Sequence, residues 1–183
     1  MRMRLHLLQT RIVAGDVHAN RARARELARA CNPGPDSLLV LPELFGTGVP
    51  GPGFDRAAAA GIAENDAAWL AALARETGAH VLGGLMEHVA APAQEHSGGV
   101  LHNRAALFAP DGRVQLSYRK IHPFTLGGED RFMQAGAALP VAPLMGFNLM
   151  AAVCYDLRFP ELFRAGARRG ADLMLVPANW PKS

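Results

Sequence analysis

The sequence predicts an α/β domain built from layers of strands and helices, and two observations lead to this fold class. Apolar runs and amphipathic stretches follow one another in the order strand–helix, strand–helix, several strands, and then strand–helix–strand. Of the 183 residues, 50% are hydrophobic and 19% are charged, which is typical of a globular chain with one sizeable core. We therefore expect a single domain over residues 1–183.

Apolar runs bounded by turn residues predict the strands. The run "SLLVLPEL" is continuously apolar, as in a strand that is covered on both faces. The sequence "PDG" at residues 110–112 is a hairpin signal, and polar loops are expected at residues 46–53 and 91–99. The predicted strands lie at residues 3–10, 37–44, 80–89, 100–109, 113–120, 139–146, 148–155 and 171–180.

Helical periodicity predicts three helices between these strands. Apolar residues recur at i, i+3, i+4 and i+7 from Ala24 to Cys31, which indicates a helix from Asp16 to about residue 31 with Cys31 as a small core residue. Asn65 is the predicted N-cap of a second helix, which ends at Gly78. Pro160 begins a third helix, which continues to about residue 169.

Composition excludes several classes of function. The net charge is +3, but the densest cationic stretch, residues 19–30, has no interleaved aromatic residues and reads as a solvated helix face, so we expect no nucleic-acid partner. Two cysteines cannot build a disulfide framework, which favours a reducing compartment. The N-terminal apolar run is too short for a signal peptide, and no stretch is long enough to span a bilayer. We expect a cytoplasmic protein that has no membrane partner.

Three predicted strands each end in a reactive side chain. "SLLVLPE" ends at Glu43, "VQLSYRK" at Lys120, and "LMAAVC" at Cys154. In α/β sheets, ligands bind beyond the carboxyl ends of strands, so the three groups are candidates for one cleft. Taken alone, each has a structural interpretation: a loop or cap glutamate, a solvated lysine, and a cysteine that packs in the core. Spacing does not decide between these interpretations.

The segments "LPELF", "YRKIHPF" and "CYDLRFPELFR" resemble, in this order, three signature segments of the nitrilase superfamily of carbon–nitrogen hydrolases. The resemblance runs from about residue 4 to the C-terminus and implies an α-β-β-α sandwich with a Glu-Lys-Cys triad. By position, Glu43 matches the general base, Lys120 the stabilising lysine, and Cys154 the nucleophile. Glu129 matches a further glutamate in the loop after the lysine. Family members are usually longer, so the sandwich is expected to be incomplete at its C-terminus.

Six further residues are candidates to support this chemistry. Lys120 and the backbone N–H of Tyr155 are the candidate donors to an oxyanion. Asn179 and Trp180 resemble positions that line the family pocket, and Tyr118 and His122 are weaker candidates for the same role. Arg158 is a candidate cation for a substrate carboxylate.

The residues just after Cys154 also have a structural interpretation. Asp156, Arg158 and Glu161 flank the predicted nucleophile, where the strand turns into a helix. Charged side chains at this spacing are typical of an ion-paired brace, and we favour that role for all three.

These roles are chemically consistent with a thiol nucleophile. An isolated cysteine has a pKa of ~8.5. The carboxylate of Glu43 raises the pKa of Cys154 whereas Lys120 lowers it, so we expect proton transfer to be coupled to attack. No metal or other cofactor is expected, because His88, His96 and His102 do not have the spacing of ligands.

We therefore expect hydrolysis of a small-molecule amide, with ammonia release, by a homodimer or higher homo-oligomer of the kind the family resemblance implies. The loop at residues 120–136 is similar to that of the amidase branches, in particular the ω-amidases that act on α-keto acid amides. The alternatives are an N-carbamoyl amino acid amidohydrolase or a nitrilase of the same family, a Cys-His hydrolase with His122 as base, and a non-catalytic fragment or binding module.

Overall fold

The computed structural model describes residues 3–50, 56–90 and 99–180. Within them the chain forms three α-helices, eight β-strands and three short 3₁₀ turns. The strands are β1 (Arg4–Leu7), β2 (Ser37–Val40), β3 (His80–Val89), β4 (Val100–Phe108), β5 (Val114–Arg119), β6 (Val141–Leu144), β7 (Phe147–Ala151) and β8 (Leu173–Leu175). The helices are α1 (Val17–Ala30), α2 (Arg56–Thr77) and α3 (Pro160–Arg168), and the 3₁₀ turns span Thr125–Gly127, Glu129–Arg131 and Cys154–Arg158.

The strands form two sheets. The larger sheet has the order β1-β2-β3-β4-β5, in which β1, β2 and β3 are parallel and β4 and β5 are added as antiparallel hairpins. The smaller sheet has the order β6-β7-β8, with β7 antiparallel to β6 and parallel to β8. Strands that the sequence separates by a helix therefore pair in parallel, and the strands predicted in an unbroken run pair as antiparallel hairpins.

Side-chain alternation along the strands of the larger sheet separates two apolar cores. On β2, Leu38 and Val40 belong to the core between the two sheets, whereas Leu39 belongs to the core beneath α1 and α2. On β4, Leu107 faces the other sheet and Phe108 faces the helices. Because successive strand residues point to opposite faces, one continuously apolar strand can serve both cores. The predicted α-β-β-α layering is confirmed, with α3 packed against the smaller sheet through Gly166 and Met150.

The first and third helices begin where the sequence predicts, and the second does not. The Asp16 carboxylate accepts a hydrogen bond of 3.0 Å from the backbone N–H of Ala19, which caps α1. Helix α2 begins at Arg56, so the prediction that Asn65 is an N-cap is wrong. The segment "RAAAAGIAE" before Asn65 consists mainly of strong helix formers, and helix propagation through it outweighs the capping preference of one asparagine.

Strand β8 is shorter than predicted because of a proline. The carbonyl oxygens of Leu175 and Pro177 accept hydrogen bonds from the N–H groups of Ala152 and Cys154. Pro177 has no N–H with which to continue the ladder, so regular pairing ends there. Much of the predicted loop at residues 91–99, with His96, and the last part of the loop at residues 46–53 lie outside the described residues.

The smaller sheet leaves part of the larger sheet uncovered. Leu5 and Leu7 of β1 are 42% and 67% exposed, although they align in register with the buried Leu38 and Val40. The inner face of β1 is therefore open to solvent. Within the described ranges, no helix is both long and apolar enough to cross a membrane.

We expect Leu82→Ala to lower the free energy of unfolding by about 2–5 kcal/mol, because Leu82 is fully buried between the sheets and its loss leaves a cavity. The matched control is Leu126→Ala, which truncates a leucine that is 83% exposed and should change stability by no more than about 0.5 kcal/mol. Urea unfolding followed by circular dichroism measures both. Equal losses in the two variants would contradict the assignment of Leu82 to the core.

Candidate active site

The turn after β2 and the end of β5 with its following loop bring Glu43, Lys120 and Glu129 into direct contact. Glu43 lies in the turn after β2, Lys120 directly follows β5, and Glu129 begins a 3₁₀ turn in the loop after it. Lys120 Nζ lies 2.9 Å from Glu43 Oε1 and 2.8 Å from Glu129 Oε2. All three side chains are buried. The cluster thus holds one ammonium between two carboxylates, away from water.

The two carboxylates keep Lys120 charged. Burial by itself lowers the pKa of Lys120, but the negative charges of Glu43 and Glu129 and their hydrogen bonds outweigh that effect, so the pKa is raised. Two of the three N–H groups of Lys120 are directed at these carboxylates. The third N–H remains to be offered to another acceptor.

Cys154 lies at the start of the 3₁₀ turn that follows β7, and its backbone is in the left-handed region, with φ of +44°. Such a conformation is uncommon for a residue other than glycine and marks a sharp change in chain direction. The backbone N–H of Cys154 donates to the carbonyl of Pro177 at 3.0 Å, which ties the turn to the chain beyond β8. The side chain faces the same cavity as Glu43 and Lys120.

The surroundings of the Cys154 thiol favour its protonated form. Its burial, the charge of Glu43 and a hydrogen bond with the Glu43 carboxylate raise the pKa of Cys154 to about 12. The backbone N–H of Asn179 and the charge of Lys120 act in the opposite direction but are weaker. The structure therefore pairs an un-ionised thiol with a carboxylate that can accept its proton, as the sequence predicts for proton transfer coupled to attack.

Asn103 completes the polar cluster, and the sequence analysis missed it. Its amide nitrogen donates to Glu43 Oε1 at 2.8 Å and to Glu129 Oε1 at 2.7 Å, so it forms a second bridge between the two carboxylates beside the ammonium. The backbone N–H of Phe124 adds a further bond to Glu129, at 2.6 Å. A signal was present in the sequence, since a buried asparagine within the apolar strand β4 must find hydrogen-bond partners.

A cavity of about 440 Å³ opens onto the cluster. Of the predicted pocket residues, Tyr155, Asn179 and Trp180 line it, and the backbone N–H of Asn179 donates to Glu43 Oε2 at 3.1 Å. The polar end is formed by Glu43, Lys120, Glu129 and Cys154. The remaining wall is mainly apolar and comes from Ile12, Ala14, Leu44, Val49, Pro50 and Phe124, so the cavity suits a small organic molecule that has one polar reacting group.

Two residues that were considered for the pocket do not line it. Tyr118 is fully buried, and its hydroxyl donates to Asp156 Oδ2 at 2.8 Å. His122 Nδ1 lies 2.8 Å from Asp156 Oδ1, and its ring stacks on Phe159 with 3.7 Å between centroids. His122 is thus engaged by Asp156 and does not line the cavity, whereas Glu43 and Cys154 both line it.

The prediction that Asp156, Arg158 and Glu161 form an ion-paired brace is wrong. Asp156 is fully buried whereas Arg158 is exposed, so the two side chains point to different sides of the turn. The Arg158 guanidinium instead lies 5.8 Å from the centre of the Trp180 ring, beside the cavity. Glu161 makes only a long surface pair of 4.0 Å with Arg164. Asp156 does anchor the turn, through Tyr118 and His122 instead of an ion pair with Arg158.

The histidines considered for a metal site have other surroundings. His102 Nδ1 lies 2.8 Å from the carbonyl oxygen of Gln134, and His96 is outside the described residues. Among residues 3–50, 56–90 and 99–180, no group of three or more His, Cys, Asp or Glu side chains is arranged to hold a metal ion.

Comparisons with known proteins give a consistent result. A family model described as carbon-nitrogen hydrolase matches residues 4–183. The chain is 30% identical over 148 residues to a 2-oxoglutaramate amidase from Bacillus subtilis, covering 79% of this chain and 52% of the relative. It is 35% identical over 145 residues to the omega-amidase YafV from Escherichia coli, covering 79% and 51%. The chain thus spans about half the length of these curated relatives.

The fold of this chain is also similar to that of a solved amidase structure. The chain is 28% identical, with a TM-score of 0.76, to a mutant amidase from Nesterenkonia sp. AN1 whose structure shows Michael addition of acrylamide at the active-site cysteine. The alignment covers 97% of this chain and 67% of that amidase.

We expect Glu43→Gln to lower the pKa of the Cys154 thiol by about one pH unit or more, because the substitution removes the neighbouring negative charge and leaves Lys120 in place. Thiolate absorbance, recorded as the difference from Cys154→Ala, measures the titration. An unchanged or higher thiol pKa would contradict the contact between Glu43 and Cys154.

Gly84→Ala tests the support beneath Glu43. A β-carbon at Gly84 would lie 2.5 Å from the Cα of Glu43 and 2.9 Å from the Pro42 carbonyl oxygen, so the turn that carries Glu43 must move. We expect the thiol pKa of Cys154 to fall in this variant as well. Gly83→Ala is the control, because its β-carbon would press on the Leu70 side chain on the opposite face. It should cost stability and leave the thiol titration unchanged.

Proposed function

Because the chain belongs to the carbon–nitrogen hydrolase family, we propose that it hydrolyses the C–N bond of a small amide through a thioester on Cys154 and releases ammonia. The observation that carries the proposal is that Cys154, Glu43 and Lys120 line the polar end of one cavity, with the Lys120 ammonium 2.9 Å from the Glu43 carboxylate. A thiol, a proton acceptor and a cation that face one cavity are the groups that acyl transfer to sulfur requires.

In the first step, the Cys154 sulfur attacks the amide carbonyl carbon while its proton passes to Glu43. The carboxylate is suited to this role because three donors hold it in place: Lys120, the Asn103 amide and the backbone N–H of Asn179. Fixed donors orient the acceptor oxygens before the reaction and spare the cost of rearranging them during it. The proton then passes from Glu43 to the amide nitrogen, and ammonia leaves as the C–N bond breaks.

The negative charge on the tetrahedral intermediate is received by Lys120 and by the backbone N–H of Tyr155. Lys120 has one N–H that is not directed at Glu43 or Glu129. Tyr155 is the second residue of the 3₁₀ turn and lines the cavity, and N–H groups at the start of a helical turn lack partners within it. Each donor contributes roughly 2.7–4 kcal/mol to the stabilisation of the transition state.

Water completes the cycle. It attacks the thioester carbonyl carbon, with Glu43 or Glu129 accepting a proton, and the carbon–sulfur bond breaks to return the thiol and release a carboxylic acid. Both carboxylates line the cavity and so have access to this water. The net reaction consumes one amide and one water and gives one carboxylic acid and one ammonia.

For the substrate we propose a small linear amide, with an ω-amide of an α-keto acid such as α-ketoglutaramate as the favoured subtype. Support comes from the 2-oxoglutaramate amidase and omega-amidase relatives and from the volume of the cavity, about 440 Å³, which is in the range of sites for small molecules. Arg158, held beside the cavity by Trp180, is the group proposed to receive the substrate carboxylate. Self-association as a homodimer or larger homo-oligomer, which the family resemblance implies, stays a prediction.

The test is an ammonia-release screen of the purified protein with α-ketoglutaramate, aliphatic amides, N-carbamoyl amino acids and nitriles. We expect α-ketoglutaramate to be turned over fastest. Cys154→Ala should abolish release, and Cys154→Ser should retain little, because a hydroxyl is the poorer nucleophile in this site. Cys31→Ala is the matched control and should stay active, since Cys31 packs beneath α1 against the helix-side core. Faster turnover of carbamoyl amino acids than of any simple amide would overturn the choice of subtype.

A further inference from the structure

Asp156 does not line the cavity, yet its carboxylate is the acceptor of four hydrogen bonds. Oδ2 accepts from the Tyr118 hydroxyl at 2.8 Å and from the backbone N–H of Val153 at 2.9 Å. Oδ1 accepts from the backbone N–H of His122 at 3.1 Å and from His122 Nδ1 at 2.8 Å. The residue is fully buried, so these bonds take the place of water.

The donors lie on both sides of Lys120. Tyr118 is two residues before it and His122 is two residues after it, so the Asp156 carboxylate binds the chain on both sides of the lysine. The Tyr118 hydroxyl also accepts from the backbone N–H of Ile121 at 3.1 Å, which closes the segment around Lys120. The direction in which Lys120 leaves the end of β5 is thereby fixed.

The same carboxylate also holds the turn that contains Cys154. Its bond to the Val153 N–H is matched by the Asp156 backbone N–H, which donates to the Val153 carbonyl at 3.0 Å. These two bonds bracket Cys154, whose φ of +44° needs such restraint to persist. One residue therefore contacts the segment of the larger sheet that carries the ammonium and the turn that carries the thiol.

We propose that Asp156 is the positioning residue that sets the placement of the Lys120 ammonium relative to the Cys154 sulfur. The proposal rests on the proposed function in that the lysine and the thiol are taken to act on one substrate. Apolar contacts between the two sheets are not directional, so they do not fix this placement to the accuracy that catalysis needs. Four charge-assisted hydrogen bonds to a single buried carboxylate do.

The test uses Asp156→Asn, which keeps the size of the side chain and replaces one acceptor oxygen by a donor that opposes two of the four bonds. The readout is the rate at which Cys154 is alkylated by iodoacetamide, followed for each cysteine by peptide mass spectrometry. Alkylation needs no amide, so it reports on the thiol and lysine even where the proposed hydrolysis fails. We expect a loss of roughly tenfold or more at Cys154, in line with the cost of misplacing a group that stabilises charge, and no change at Cys31.

The second part of the test asks whether the effect passes through the lysine. In a Lys120→Met background, the added Asp156→Asn substitution should change the alkylation rate by less than about twofold, because residues that act through one another are not additive. An equal loss in both backgrounds would overturn the proposal. So would an unchanged rate in Asp156→Asn with the lysine present.

Two further variants separate positioning from folding. Asp66→Asn makes the same change at another fully buried aspartate, which pairs with Arg21 at 2.7 Å, and should leave Cys154 alkylation within about twofold of the wild type. Tyr118→Phe removes one of the four bonds and replaces Asp156→Asn in the test where the latter does not fold. Tyr118→Phe should also lower kcat while KM stays within about twofold of the wild-type value, because the substitution does not alter the cavity wall. A rise in KM without a fall in kcat would count against positioning.

Discussion

The buried contact of Lys120 with Glu43 and Glu129 is the constraint on which the rest of the structure depends. Removing three charged groups from water costs several kcal/mol for each ion, and direct pairing offsets that cost only when the remaining hydrogen-bonding capacity is also satisfied. Asn103 and the backbone N–H groups of Phe124 and Asn179 supply the missing donors. Displacing any of these segments would leave a charge without a partner in an apolar interior. The cluster therefore restrains the positions of these segments, and the segments restrain the positions of the charged groups.

The charge balance of the cluster sets the state of the thiol. Burial and the neighbouring charge of Glu43 raise the pKa of Cys154 by more than the charge of Lys120 lowers it, which favours the protonated sulfur. This differs from cysteine hydrolases that hold a thiolate beside a histidinium. A protonated sulfur is less exposed to oxidation and adventitious alkylation, and in the proposed mechanism it becomes a nucleophile when its proton moves to Glu43.

Most of the fold could be predicted from the sequence, and the site only in part. The alternation along β2 and β4, the Asp16 cap and the proline at the start of α3 are local signals, and each acts within a few residues. The capping prediction at Asn65 failed because a longer helix-forming segment overrode it. Convergence of Glu43, Lys120 and Cys154 was suggested by their strand-end positions, but pairing between sheets is a long-range outcome, and only resemblance to a family raised it above the structural alternatives.

The hydrogen-bond partners of the buried polar groups could not be predicted from the sequence. Asn103 bonds to a residue 60 positions away, and the Asp156 carboxylate receives the hydroxyl of a residue 38 positions earlier. The expected brace with Arg158 failed for the same reason, since sequence spacing does not show which side of a turn is buried. The proposed reacting groups also come from both layers of the sandwich: Glu43 and Lys120 follow strands of the larger sheet, and Cys154 follows a strand of the smaller sheet. If these groups react as proposed, the packing between the two layers sets the distances between them. Substitutions far from the cavity can then adapt the rate to another temperature without a change in any reacting residue.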